Sequence, residues 1–435
     1  MDIAALKQKV YDAVEANAEK IMEIGQTVWK NPEPGFREYK TASLAAETFT
    51  SLGLQYQDQL ALTGVRADME FSKEGPCVAI LGEMDSLILP NHPECDPETG
   101  AIHACGHNCS MAGMLGAAIA LKSAGIEKDL AGKIAFMAVP AEECIELGWR
   151  GDLIREGKIS ALGGKAEMIR KGVFNDVDLS YMLHASSAYG MGAHNGFVSK
   201  TVTFKGKSTH AAAPLLSVNA LHIATLAQNA VALLRERWGA DSSMRIHGII
   251  TSGGDVVNII PDEVKMEYLV RGSSLEFIKR ISREFDRAMC GVASAMGGGV
   301  EVQTIPGYMP QWDDETLEDL YTNEVHNVYP DAPVKKFFHY GSTDMGELST
   351  VMPTLHGYSA GSAGTGHGID YCIEDPYKAY VVNARIVAGI AVELLANGAA
   401  KAKEIASRRD GKISIEEYIR LTDGLNAVSS VTPAE

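Results

Sequence analysis

Four short segments constrain the fold of this chain more than any others. CVAIL (77–81), KIAFMAV (133–139) and LSYMLHA (179–185) are apolar runs of strand length, and SMAGMLGAAIALKSAG (110–125), between the first two, is long enough for a helix. Buried strands separated by helical segments predict right-handed βαβ units and a mainly parallel sheet covered on both faces. In such sheets ligands collect beyond the carboxyl ends of the strands.

That rule sorts the polar residues. Glu83 and Asp85 follow the first strand, Glu142 and Glu143 follow the second, and His184 closes the third. HACGH (103–107) immediately precedes the helix, and a glycine-rich loop, YSAGSAGTGHGID (358–370), carries His367. Thiolate, imidazole and carboxylate together suit zinc, cobalt or manganese better than magnesium or calcium, which prefer oxygen shells. Because neighbouring side chains diverge, one of the paired glutamates can ligate a metal while the other acts as a base. Taken singly, each residue has a plainer role: Cys105 as a small core residue, His184 as a hydrogen-bonded strand end, His367 as a loop residue, the glutamates as an acidic helix start. All of these would have to hold at once, on separate segments meeting at one sheet edge. A closed structural zinc or thiol-redox site from His103, Cys105, His107 and Cys109 is the rival, but it needs neither glutamate nor the His367 loop.

From residue 197 the pattern changes to strand, helix, two strands, helix, strand, the βαββαβ order of a split βαβ unit. The expected architecture is α/β: a discontinuous metal-binding domain (1–196 and 307–435) interrupted by a ferredoxin-like domain (197–306). A long helix follows the His367 loop. Near the C-terminus DGKISIEE matches the second half of a calcium-binding loop, but Ala406 and Arg408 fall on the first and third ligand positions and cannot coordinate calcium, so a turn between helices is expected.

Composition bounds the partners. A chain of 435 residues exceeds one simple core, and 46% hydrophobic with 22% charged residues is ordinary for a globular protein. A net charge of −17 argues against nucleic acid or an anionic membrane and for a small-molecule partner. The N-terminus has helical spacing without the apolar core of a secretory signal, and no apolar run reaches about 18 residues. Seven scattered cysteines suit free thiols in a reducing, cytoplasmic setting.

HACGHN, PAEE after a strand, YMLH, GKSTHAAAP, GGDVVNIIPD and GSTDMGELS with TGH occur in one order between about Pro32 and residue 396. In these motifs the chain resembles the M20 metallopeptidases, specifically the amidohydrolase branch that holds aminobenzoyl-glutamate, N-acyl amino acid and auxin-conjugate hydrolases. The resemblance implies two divalent metal ions, zinc or manganese with cobalt possible in vitro, bridged by Cys105 and completed by His107, Glu143, His184 and His367. It implies Glu142 as the base that activates water and then protonates the leaving amine. His210 would stabilise the oxyanion, in many members from the partner subunit, and Asn258 and Arg271 would hold the substrate's backbone or carboxylate. The inserted domain would be both lid and homodimer interface.

The activity implied is cleavage of the amide of an N-acyl or N-aroyl amino acid or small dipeptide. The alternatives are a dipeptidase restricted to β-alanyl or basic dipeptides and a metal-binding relative without turnover. Three features depart from the family pattern: the extra stretch CIELGWRGDLIREGKISAL (144–162), Asn108 where many auxin-conjugate hydrolases carry Asp, and Glu83 within its motif.

Overall fold

The computed structural model describes residues 2–238 and 243–433, which form two compact units. The first comprises residues 1–193, 311–338 and 344–415; the second comprises 194–310, 339–343 and 416–435.

The first unit is built on an eight-stranded sheet ordered Tyr56–Leu60, Gly64–Glu70, Lys133–Val139, Cys77–Glu83, Leu179–Ser186, Thr354–Ala360, Gly190–His194, Lys335–His339. The strands Lys133–Val139, Cys77–Glu83, Leu179–Ser186 and Thr354–Ala360 run parallel, and antiparallel strands flank them. Cys77–Glu83 is buried at every position, as its unbroken apolar run requires of a strand covered on both faces. The helix His107–Ser123 starts three residues earlier than its apolar pattern suggests, which brings His107 into its first turn. Every residue from His107 to Leu121 is buried, because the helix lies between the sheet and the helices Ile3–Ala16, Ala18–Lys30 and Asn383–Ala406. Leu115, Ile119 and Leu121 each contribute about 1.5–3 kcal/mol through this burial.

The long helix after the His367 loop runs Asn383–Ala406, with Asn397 and Gly398 in left-handed conformations where ANG interrupts the apolar pattern. Among the described residues one helical stretch, Tyr377–Gly411, is long and apolar enough to cross a membrane, and most of its apolar window is buried inside the protein. A short 3-10 turn, Ser407–Gly411, occupies the DGK segment.

The second unit carries the βαββαβ order: Gly196–Lys205, Ala220–Trp238, Arg245–Ser252, Glu263–Gly272, Leu275–Ala295, Gly299–Pro306. Its antiparallel sheet has a fifth strand, Ala427–Val431, paired with Gly299–Pro306 from Val300 opposite Val431 to Thr304 opposite Ala427. Residues 416–435 therefore belong with this unit, not with the metal-binding domain as expected from chain order. AVSSV is too short and polar to announce itself as a strand, and backbone pairing along an open sheet edge draws it in.

Candidate metal centre

The carboxyl ends of the parallel strands deliver the site. Glu83 ends one strand, Glu142 and Glu143 follow Val139, and His184 lies near the end of Leu179–Ser186 beside Tyr358, its neighbour in the parallel register. Cys105 and His107 come from the turn that opens the buried helix. Between them Gly106 has φ +81°, and a Cβ there would collide with the Tyr371 hydroxyl, so only glycine fits. His367 arrives on its loop with φ +63°, its amide donating to Ala104 O at 2.9 Å, which ties the loop to the HACGH turn.

The structure gathers five expected ligands and the expected base. Single donor atoms of Cys105, His107 and His184 lie within 4.8 Å of one another, as do those of Cys105, Glu143 and His367, and those of His107, Glu142 and Glu143. Cys105 Sγ is 3.3 Å from His184 Nε2, and His367 Nε2 is 3.3 Å from Glu143 Oε1. Two nitrogen or oxygen ligands at 2.0–2.2 Å from one tetrahedral ion are separated by about 3.4 Å, slightly more with sulfur. Glu143 Oε1 and His107 Nε2 are buried without hydrogen bonds, as expected of atoms meant for a cation.

The imidazoles are oriented for ligation. His107 Nδ1 donates to Asp85 O at 2.9 Å and lies 3.1 Å from Asp85 Oδ1; His184 Nδ1 donates to Ala185 O at 2.9 Å. In both rings Nε2 is the nitrogen turned toward the site, where a metal would displace its proton. Asp85 also accepts the Glu143 amide at 2.8 Å, so one buried carboxylate fixes two expected ligands. Burial and Glu143 push the Cys105 thiol up, but His184 and His107 outweigh them and bring it to about 6, so the thiolate prevails at neutral pH. Against burial, His367 holds Glu143 at about 2. Glu142 is pushed well above the carboxylate range by burial and by Glu83 and Glu143, the direction a proton-shuttling carboxyl needs.

The rival four-residue site does not form among the described residues. Cys109 is fully buried, its thiol pushed up by burial, and neither it nor His103 joins a metal-compatible group. Asn108 is structural, donating to Tyr380 Oη at 2.9 Å inside the core.

His210, Asn258 and Arg271 lie in the second unit. Ala211 N donates to Asn258 O at 2.9 Å and His210 bridges Ile259, so the first two share one loop pair. The Ala212 amide donates to His210 Nδ1 at 3.0 Å, leaving an exposed Nε2–H as donor. Arg271 stands over the Phe197 ring at 5.9 Å, near the far end of the Glu263–Gly272 strand from that loop pair, roughly 25 Å away by strand rise.

Sequence reasoning missed Lys165 and Asp344. Lys165, fully buried, forms ion pairs with Glu83 at 2.6 Å and with Asp344, and oxygens of Glu83, Glu142 and Asp344 lie within 4.8 Å of one another. Asp344 stands in GSTDMGELS, a segment that drew notice as a whole, whereas nothing in GGKAEMIRKG sets its first lysine apart from a surface residue.

The chain is similar to the mouse Xaa-Arg dipeptidase, 28% identical over 82% of this chain and 80% of that protein. It is similar to a subunit of the Escherichia coli p-aminobenzoyl-glutamate hydrolase, 28% identical over 72% of this chain and 64% of that one. A dinuclear metal-binding M20 peptidase from Bacillus subtilis superposes with a TM-score of 0.65 at 20% identity, covering 88% of this chain and 99% of that structure. The model of peptidase family M20/M25/M40 matches residues 79–393, from the strand that ends in Glu83 to beyond the His367 loop. With most of its length matched and every group of the centre inside the match, this metal-dependent hydrolase of amide bonds belongs to peptidase family M20/M25/M40.

Proposed function

We propose that the chain is a two-metal amidohydrolase that releases a free amino acid from an N-acyl or N-aroyl amino acid or a small dipeptide. The observation that carries the reading is the clustering of Cys105, His107, Glu143, His184 and His367, with Glu142 grouped with His107 and Glu143 and donor pairs at ligand spacing. These five residues fit two divalent ions, zinc or manganese, with cobalt a substitute in vitro. Bound there, the ions supply Lewis acidity to the amide carbonyl and make the attacking water acidic.

The chain's own groups do the rest. Glu142 takes the water proton and passes it to the leaving nitrogen, which its raised affinity for a proton favours. His210 donates Nε2–H to the oxyanion. Asn258 holds the substrate backbone, and the planar fork of Arg271 binds the carboxylate of the released amino acid. The second unit, which carries all three of these residues, would be both lid and homodimer interface. Exposed Leu226, Leu233, Ile249 and Ile250 on a helix and the edge strand of the second unit support a homodimer through that unit. Seven free cysteines fit a cytoplasmic location.

The similarity to the Xaa-Arg dipeptidase favours a second reading, a dipeptidase for basic or β-alanyl dipeptides, which would demand a free substrate amine. Metal-stripped protein resupplied with manganese or zinc, and incubated with pooled N-acyl amino acids, aminobenzoyl-glutamate and dipeptides, decides between them by mass spectrometry. Metal-dependent cleavage that vanishes in Glu142→Gln supports the mechanism and names the substrate. Two metals bound without cleavage of any member would remove the catalytic assignment for these substrates.

A further inference from the structure

Glu83 is the buried acid that this reading leaves unused. Its two oxygens have different surroundings. Oε1 accepts from Lys165 Nζ at 2.6 Å, whereas Oε2 makes no hydrogen bond and faces His107 Nε2 at 3.3 Å, itself without one. His107 Nδ1 keeps its proton on Asp85, so Nε2 is the nitrogen that a metal can claim, and it faces Oε2. Buried face to face, these two atoms need a cation between them, a proton in the metal-free chain and a divalent ion where one displaces it. Their spacing is the ligand–ligand edge of a tetrahedral ion, about 3.4 Å, and matches the Cys105–His184 and Glu143–His367 pairs.

We propose that Glu83 Oε2 is a further ligand, completing the shell of the ion held by His107, and that Lys165 is the positioning residue that points it there. The proposal rests on the two-metal reading of the site. Lys165 is itself fixed from two sides: its amide donates to Asp344 Oδ2 at 3.0 Å and its ammonium pairs with Asp344 Oδ1. With neither Lys165 nor Glu83 exposed, turning Glu83 away from His107 would break an ion pair that water cannot replace. The same ammonium fills the trio of Glu83, Glu142 and Asp344, whose oxygens would otherwise attract a third ion. One oxygen of Glu83 is thus spent on the fixed cation and one remains for the exchangeable one.

Cobalt tests this on the full-length, metal-stripped protein, because its absorption reports coordination independently of turnover. Unmodified protein is expected to take up two cobalt ions. In Glu83→Gln, Lys165 claims the amide oxygen and leaves the amide nitrogen, which has no available lone pair, facing the metal. The first ion should bind as before and the second at least about tenfold more weakly, with an altered visible spectrum. Lys165→Met should shift the second affinity in the same direction. An unchanged second affinity and spectrum in Glu83→Gln would overturn the proposal. Should the variants fail to fold, a crystal structure of the unmodified protein with cobalt decides: a Glu83 oxygen at about 2.0–2.2 Å from an ion supports the proposal, and one beyond about 3 Å refutes it. No cobalt uptake at all would sink the two-metal reading and this inference together, whereas two ions with Glu83 outside both shells would sink this inference alone.

Discussion

Replacing Asp85 by Asn exchanges one oxygen for NH2, and its effect follows from counting donors. Both Asp85 oxygens act as acceptors in a fully buried position, Oδ1 toward His107 Nδ1 at 3.1 Å and Oδ2 toward the Glu143 amide at 2.8 Å. Asn offers one acceptor, so whichever way it turns, its NH2 meets an N–H. Facing Glu143, it replaces a charge-assisted bond with a buried, unpaired donor, a loss of about 1–3 kcal/mol. Facing His107, it drives the ring proton to Nε2, the nitrogen needed for the metal. Either outcome should weaken metal binding about 10- to 100-fold, or roughly 1.4–2.7 kcal/mol. Asp85→Ala removes the acceptors without adding a donor, and the backbone carbonyl at 2.9 Å still holds His107 Nδ1. The expected order of affinity is therefore unmodified, then Ala, then Asn, although Asn is the closer mimic in shape. Competition for zinc against a chromophoric chelator measures it, with circular dichroism to confirm folding. An Asn variant within about twofold of the unmodified affinity would refute the account of how Asp85 works.

Without metal, alkylation of Cys105 followed by peptide mass spectrometry should rise with a midpoint near pH 6 and be blocked by zinc; a midpoint near 9 would contradict the influence of His184 and His107. Burial and Asp85 raise Glu38 from 4.5 to about 7, so the folded chain keeps a proton that the unfolded chain gives up. This group's contribution to stability is full below pH 4.5, falls between 4.5 and 7 by something on the order of 3 kcal/mol, and is level above. Glu38→Gln can still accept from Ala141 N and donate to Thr63 Oγ1, so its melting temperature should exceed the unmodified value at pH 8 and not at pH 4.5; parallel profiles would argue against this. Gly106→Ala combines a left-handed backbone with contacts to Tyr371 and Ala185 Cβ and should cost about 2–5 kcal/mol in thermal unfolding, only part of it recovered by adding Tyr371→Phe.

The strands and the gathering of the candidate ligands were legible because each rests on a local pattern. Cys77–Glu83 and Lys133–Val139 each contain an unbroken apolar run and Leu179–Ser186 is mostly apolar, and the rule for strand ends then places Glu142, Glu143 and His184 without knowledge of any distance. Cys105 and His107 are two residues apart at a helix start, where a single turn keeps them together. Asp85 was visible as a residue at the right edge, but not as the acceptor shared by His107 and Glu143. Lys165 was invisible: its partners are 82 and 179 residues away, and a lysine beside Ala and Glu reads as solvated. Residues 427–431 were misplaced for a related reason, since their pairing with the Gly299–Pro306 strand depends on an edge more than a hundred residues earlier.

The extra stretch between Glu143 and Lys165 ties these observations together. It is no loose insertion: Gly164 N donates to Ala141 O at 3.1 Å, closing the loop at its base, and a Cβ on Gly164 would strike the Pro140 carbonyl. Its centre is filled by Arg150, which is buried, donates to Leu162 O at 2.5 Å and to Glu143 O, and lies 5.3 Å from the Phe36 ring. Phe36, Ala141, Leu153 and Ile159 form a small core of their own beneath it. Both ends of the loop therefore bear on the candidate metal centre, Glu143 entering as a proposed ligand and Lys165 leaving as the cation beside Glu83, while Arg150 holds the carbonyl of the first. A buried arginine held by carbonyls fixes that backbone far more firmly than an open loop would, because moving it would leave a charge without partners. A segment that reads as an insertion beside the site is, by its contacts, part of the frame that sets the separation between a metal ligand and the ammonium of Lys165.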